Sequence, residues 1–308
     1  GKELIERNKR RNGPIFGLDE DLNNSNINPV FEIYNKKFWE RPENKSIALS
    51  ASQKLRNFFN NKLDIIEVFD LEKWASYFAI VDLTGTWHGA LLKSVKFYYN
   101  PINGLFEPIP FDGHRYKPNF YKFNSKYDHK LVIDFLINPA PEEESLGLGW
   151  LKSFFFINGN LNKNFYDIYT EKLNKINSKK FIDNFLSKNL KKIENINSHI
   201  YSDSFWYHDS TSEMGVYYFS LDDFLYQVEN IINKLNRNHG FQILQSSKSE
   251  FLIKHYTRHY DVIILDKLIC NNDLEKIELR LNKVLNNFED TIINAPEIPG
   301  IAHKAAIH

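Results

Sequence analysis

One cysteine, Cys270, stands in a chain of 308 residues. That scarcity excludes an internal disulfide and any zinc site built from cysteines. A lone cysteine suits a reducing compartment, and it also suits the many secreted bacterial proteins that lack disulfides. Charge of one sign is not in excess: 39 Lys and Arg balance 39 Asp and Glu, so composition gives no electrostatic ground for nucleic-acid binding. No run reaches the roughly 18 apolar residues that a membrane span requires. No signal peptide is read at the start, and an N-terminally incomplete chain would not show one. Neither GxGxxG nor GxxxxGKS/T occurs, so no glycine-rich phosphate loop is present. Glycine is sparse at 13, while Lys and Asn abound, a bias that points to an AT-rich coding sequence rather than to a function.

What is present is apolar and aromatic. Hydrophobic residues make up 42% and aromatics 15%, enough for a folded core. The length fits one large domain or two modest ones. The charged opening, residues 1–12, reads as a short exposed helix broken by Asn12-Gly13-Pro14. Residues 17–30, rich in Asp and Asn, read as a loop. Ser50 or Ser52 is expected to cap a helix with Leu55, Phe58, Phe59 and Leu63 inward.

The segment 70–116 is the most informative. Asp70 is placed to cap a helix from Leu71, with Glu72 in its first turn. Leu71, Trp74, Phe78 and Val81 make one apolar stripe, and Gly85 stops it. Val95–Tyr99 reads as a strand, Asn100–Gly104 as a turn, and Leu105–Phe111 as a returning strand. Pro108 and Pro110 mark that strand as an edge or as a short, irregular one. Asp112 falls just past it. A carboxylate at a strand end, followed by glycine, suits a hard cation held with phosphate oxygens. On spacing alone, Asp112-Gly113 reads more readily as a plain turn, a common use of this dipeptide.

Farther on, the aromatic and basic stretch 114–130 has the composition of a single-strand nucleic-acid platform or of a packed loop. Zero net charge favours the loop. Residues 131–137 read as a buried strand or short helix. Glu142–Glu144 read as a solvated helix start, with a metal or Arg partner the alternative. Helical spacing from Asn164 to about Ile200 predicts two helices parted near Asn177-Ser178. Residues 197–215 read as a loop, and Leu221–Leu235 as a helix capped by Ser220 and ended by Gly240. Alternation from Phe241 to Leu268 predicts strands. His255 and His259 would share one helical face and bind zinc there, but their surroundings read as strand. A last helix is expected from Asp273, with Leu274, Ile277, Leu281, Val284 and Leu285 on one face. The tail from Asn294 carries no clear element.

The helix DLEKW, the segment Gly85-Thr86-Trp87-His88-Gly89, the hairpin FYYNPINGLFEPI and the closing Phe111-Asp112-Gly113 resemble the CotH family of spore-coat-type atypical protein kinases. The opening GKELIERNKRRNGPIF looks like the family segment that follows the last N-lobe strand. The resemblance covers about residues 1–120, extends more loosely to about 240, and draws nothing from the last seventy residues. It implies an α+β fold: an atypical protein-kinase-like C-lobe, mainly helical with a β-hairpin, over residues 1–240. A small α/β extension of strand and helix would follow over 241–308. The same resemblance implies that the phosphate-covering N-lobe lies upstream of Gly1 and that this chain is a fragment.

Carried over, the resemblance makes Asp112 the Mg²⁺-binding aspartate. His88 stands where many members have a catalytic aspartate, and Ser94 is the nearest match to the second metal ligand, usually asparagine. A histidine, with an ordinary pKa near 6.5, suits proton abstraction at neutral pH. Unlike a carboxylate, it brings no negative charge to a metal-rich site. The implied function is transfer of the ATP γ-phosphate to a protein hydroxyl with Mg²⁺. The alternative is a catalytically impaired pseudokinase serving as a binding or surface and coat-assembly scaffold. Implied partners are a protein substrate or a coat or surface protein, in the bacterial cytoplasm or at the cell surface, with no nucleic acid and no membrane span.

Overall fold

The structure, a computed structural model, describes residues 10–18, 31–113, 131–137, 149–157, 160–203 and 221–235. It also describes, as backbone, the strands 241–245, 250–255, 263–271, 276–285, 291–294 and 302–306. Among these residues the fold is mixed, with helices packed beside small antiparallel sheets.

The first sheet contains β1 (Ile15–Leu18), β2 (Phe31–Ile33), β3 (Lys96–Asn100) and β4 (Leu105–Ile109), in the order β2-β1-β3-β4. Its pairings are antiparallel. The edge position of β4 tolerates Pro108, since one side of that strand needs no ladder donor. Gly104 closes the hairpin at φ 70°, and its N–H donates to the Asn100 carbonyl at 2.8 Å. Gly17 and Leu18, expected in a loop, belong to β1, where Gly17 pairs with Lys96. Residues 10–14 are not helical, and the rest of the expected opening helix lies outside the described residues.

Beside the sheet run α1 (Lys36–Trp39), α2 (Pro42–Phe59), α3 (Ile65–Val68) and α4 (Leu71–Thr84). The second of these starts at Pro42 rather than at Ser50 or Ser52. Pro42 is preset for the first helical position, where the missing N–H has no partner to lose. Only alanines, Ala48 and Ala51, are buried in that half, so its periodicity is faint in sequence. Leu55 and Phe58 point inward as expected.

The central element is α4. The Asp70 side chain accepts the Lys73 N–H at 3.2 Å, and Gly85 ends the helix at φ 65°. Trp74 and Phe78 are fully buried. The Trp74 ring meets Phe69, Phe97, Trp150 and Phe154 at centroid distances of 5.0–6.2 Å. Its indole N–H donates to the Phe106 carbonyl at 2.9 Å, and the same oxygen accepts the Asp70 N–H at 3.0 Å. The helix is thereby fixed to the hairpin at both ring and backbone. Glu107, buried on the hairpin, adds charge-assisted bonds from Lys73 (3.0 Å), Asn100 (2.8 Å) and Arg10 (2.9 Å).

The remaining helices are α5 (Val132–Ile137), α6 (Lys152–Phe155), α7 (Lys163–Ile176), α8 (Lys179–Asp203) and α9 (Leu221–Leu235). A short strand pair, β5 (Phe156–Ile157) with β6 (Asn160–Leu161), lies between α6 and α7. The expected break at Asn177-Ser178 separates α7 from α8, with Ser178 Oγ accepting the Phe181 N–H. The expected loop at 197–215 instead begins as helix, since α8 runs on to Asp203. Ser220 and Gly240 lie outside the described residues.

Four of these helices meet at Asp82. Its carboxylate accepts the Val132 N–H at 2.7 Å and the Tyr169 hydroxyl, and its carbonyl accepts Gln227 Nε2 at 2.8 Å. Nearby, Asp134 Oδ2 accepts the Leu131 N–H at 2.7 Å and pairs with Lys234 at 2.5 Å.

The C-terminal part contains strands alone among the described residues. β7 (Phe241–Gln245), β8 (Glu250–His255) and β11 (Thr291–Asn294) form one antiparallel sheet. β9 (Ile263–Asn271), β10 (Lys276–Leu285) and β12 (Ala302–Ala306) form another. The expected helix from Asp273 is therefore a strand, and the expected structureless tail contributes one, β12. The segment KIELRLNKVL carries both periods: Ile277, Leu281, Val284 and Leu285 fit a helix, and Ile277, Leu279 and Leu281 alternate. Pairing with β9 selects the alternation, with a register shift between Arg280 and Lys283.

Burial is the main cause that pushes the Asp82 carboxyl up from 3.8 to about 7. Between those values the folded state binds more protons than the unfolded one, so this group's contribution to stability falls as pH rises from about 4 to about 7. The slope is at most about 1.4 kcal/mol per pH unit. Asp82→Asn keeps an acceptor for Val132 and a donor for the Tyr169 oxygen, and it should remove that slope. Urea midpoints at pH 4.5 and 7.5 check this: the variant should gain on the wild type as pH rises, and a constant difference would contradict it.

Candidate functional site

The site forms where the end of α4 meets the end of the hairpin. Beyond Gly85 the chain makes one 3-10 turn, Trp87–Ala90. Three contacts hold that turn. Tyr77, on the buried side of α4, donates its hydroxyl to the Gly89 carbonyl at 2.7 Å. Trp150 donates its indole N–H to the Ala90 carbonyl at 2.9 Å. The Trp87 ring packs on Phe135 of α5 at 5.5 Å. Gly89 is the docking point for the hairpin's end, because a β-carbon there would lie 2.7 Å from the Phe111 carbonyl.

That close approach brings the three sequence-predicted site residues together. Asp112 adopts φ 52°, a left-handed conformation that aspartate tolerates better than most side chains. In it, both its carbonyl (3.2 Å) and its Oδ2 (3.4 Å) face His88 Nδ1. Ser94 Oγ donates to Asp112 Oδ2 at 2.8 Å and lies 3.3 Å from His88 Nδ1. Two acceptors on Asp112 thus face Nδ1, an arrangement that favours the tautomer with its proton on Nδ1 and Nε2 as the acceptor nitrogen. The His88 side chain is 7% exposed and that of Asp112 41%, so the imidazole is enclosed while the carboxylate reaches solvent.

Serine, histidine and aspartate are the residue types of a hydrolytic triad, but this geometry does not make one. In a triad the nucleophile and the orienting carboxylate sit on opposite ring nitrogens. Here Ser94 and Asp112 share Nδ1, and Ser94 gives its proton to Asp112 while fully buried. No attack through Ser94 fits.

Asp112 Oδ2 and Ser94 Oγ are oxygen donors of the kind that hard cations take. Two oxygens on adjacent corners of a Mg²⁺ octahedron are about 3.0 Å apart, given bonds of about 2.1 Å. Asp112 Oδ2 and Ser94 Oγ are separated by 2.8 Å. Among the described residues no group of three or more His, Cys, Asp or Glu is arranged around one point. A cation here would therefore draw most of its shell from water and substrate oxygens, as Mg²⁺ commonly does.

Other sequence candidates fall elsewhere. His255 ends strand β8, and His259, Glu142–Glu144 and the stretch 114–130 lie outside the described residues. The sequence reading missed Tyr77, Trp150 and Gly89 as supports. Tyr77 falls outside the stripe read from the sequence, and nothing local announces its hydroxyl's target. Trp150 is sixty residues from Ala90, and nothing local announces that bond. Lys96 was missed as well; its ammonium lies over the exposed rings of Tyr34 (5.4 Å) and Phe111 (5.6 Å).

Comparison with models of known protein families found no match, and a search among curated proteins found none either.

Gly89→Ala should destabilise the chain by about 1–3 kcal/mol, the usual range for overpacking, because the Phe111 backbone must move. Gly113→Ala should stay within about 0.5 kcal/mol, since its added carbon meets Thr86 at an ordinary 3.5 Å. Equal losses in urea unfolding would show that the Gly89 contact is not the constraint.

Proposed function

We propose that this chain is the C-lobe portion of a CotH-like protein kinase, moving the γ-phosphate of ATP to a protein hydroxyl with Mg²⁺. The observation that carries the reading is the meeting of His88, Ser94 and Asp112, with His88 and Asp112 24 positions apart in sequence.

In this reading Asp112 and Ser94 hold Mg²⁺ through oxygen. Bound Mg²⁺-ATP supplies an electrophilic γ-phosphorus and shields the charge on its oxygens. His88 works at Nε2. Its Nδ1–H is engaged by Asp112, which fixes the tautomer and stabilises the imidazolium formed when Nε2 takes the acceptor hydroxyl's proton. The acceptor oxygen then bonds to phosphorus, the bridging bond breaks, and ADP leaves. The buried turn fixes that base as a catalytic carboxylate would be fixed. The difference is charge: among the three residues Asp112 is the only acid.

That difference favours one second reading, a pseudokinase that binds nucleotide without transferring phosphate and serves as a binding or assembly scaffold. Calorimetry of ATP binding by the full-length protein, with and without Mg²⁺, separates the two when paired with a transfer assay. Asp112→Ala should abolish Mg²⁺-dependent binding with little loss of stability, and unchanged binding would remove Asp112 from its role. His88→Ala should leave nucleotide affinity intact and lower transfer about 10²–10⁴-fold, the usual worth of a general base. An unaltered transfer rate would refute the base assignment. Mg²⁺-dependent binding without any transfer in the wild type would support the pseudokinase.

A further inference from the structure

We propose that Asp82 is a positioning residue for the candidate site, holding α5 so that Phe135 braces Trp87 and, with it, the turn that carries His88. The inference rests on the functional reading above only for what the site does; the placement rests on contacts alone.

A carboxyl group at the core of four helices is an expensive choice where an apolar side chain would pack. Its partners show what it does. Val132 is the first residue of α5, and its N–H is one of the donors that a helix start leaves without an intrahelical acceptor. Asp82 Oδ1 accepts it at 2.7 Å, and the Tyr169 hydroxyl holds the other oxygen from α7. The α5 helix has six residues, far too few to be stable alone. A second carboxylate also fixes its start, since Asp134 accepts the Leu131 N–H and is itself paired with Lys234 of α9.

Phe135 lies one turn beyond Val132 and is buried against the ring of Trp87 at 5.5 Å. Trp87 is the residue before His88. A path of direct contacts therefore runs from Asp82 to Val132, through α5 to Phe135, and on to Trp87 and His88. Asp82 also lies near the end of α4, two residues before its last position, so the brace starts from the same helix that carries the turn. The turn is thus held between its own helix and a short helix that this helix anchors. Asp82 touches neither Asp112 nor His88, so its action is on their placement and not on the chemistry.

The test reads the His88 ring without any nucleotide. In the full chain, labelled with ¹⁵N at its ten histidines, the His88 signals are assigned by their loss in His88→Gln. The wild-type ring should show the Nδ1–H tautomer. In Asp82→Ala and in Phe135→Leu that preference should be lost, with a mixture of tautomers appearing. Asp82→Asn, whose amide oxygen still accepts from Val132, should retain it. Leu55→Ala, a buried position on α2, should lower the melting temperature and leave the ring unchanged.

An Nδ1–H tautomer preserved in both Asp82→Ala and Phe135→Leu would overturn the proposal, as would an equal change in Leu55→Ala. If Asp82→Ala does not fold, Phe135→Leu and Asp82→Asn decide alone. Because no nucleotide is present, a failure here leaves the kinase reading standing, and a failure to bind ATP leaves this result standing.

Discussion

The bond from the Trp74 indole to the Phe106 carbonyl is the constraint on which the rest of the structure depends. It joins the first turn of one helix to the start of the hairpin's second strand, inside a cluster of buried aromatic rings. The two chain ends that matter lead away from that joint: α4 runs out to the turn with His88, and β4 runs out to Asp112. Those ends then meet directly, through the Gly89–Phe111 approach and the contacts of Asp112 with His88 and Ser94. Glu107 reinforces the same joint electrostatically through Lys73, which in turn is paired with Asp70 at the helix start. Dispersion, a buried hydrogen bond and a charged cluster all act on one short stretch of contact.

What this joint delivers is a specific sharing of one ring nitrogen. Nδ1 of His88 faces Asp112 through both carbonyl and carboxylate, and Ser94 closes the triangle. That arrangement argues against a serine nucleophile and in favour of an oriented base beside a solvent-reaching carboxylate. It depends on backbone as much as on side chains: the left-handed Asp112 and the bare α-carbon of Gly89 are both required. The placement of these side chains thus rests partly on backbone conformation.

Much of this was legible in the sequence, and the reason is locality. Asp70, Gly85 and Gly104 are capping and turn residues whose effect is exerted within four positions, and each acts as expected. The Asn177-Ser178 break follows from the same kind of short-range signal. Long-range facts were not legible. The bonds from Trp150 to Ala90 and from Gln227 to Asp82 join residues 60 and 145 positions apart. The last strands failed for a different reason. In KIELRLNKVL the helical and the alternating patterns coexist, and only a partner strand decides between them. The site residues were found because the resemblance singled them out, while the buried supports were hidden because core aromatics look alike in sequence.

The central proposal is that Asp112 and Ser94 hold a metal ion with nucleotide, directly beside the His88 ring. Its most direct test replaces Mg²⁺ by Mn²⁺ and follows the histidine ring signals of the full-length protein by NMR. With ATP and Mn²⁺ together, the His88 signals should broaden beyond detection, and they should persist in Asp112→Ala. His88 signals that stay sharp in the wild type, while saturating Mn²⁺-ATP broadens other residues, would contradict the account.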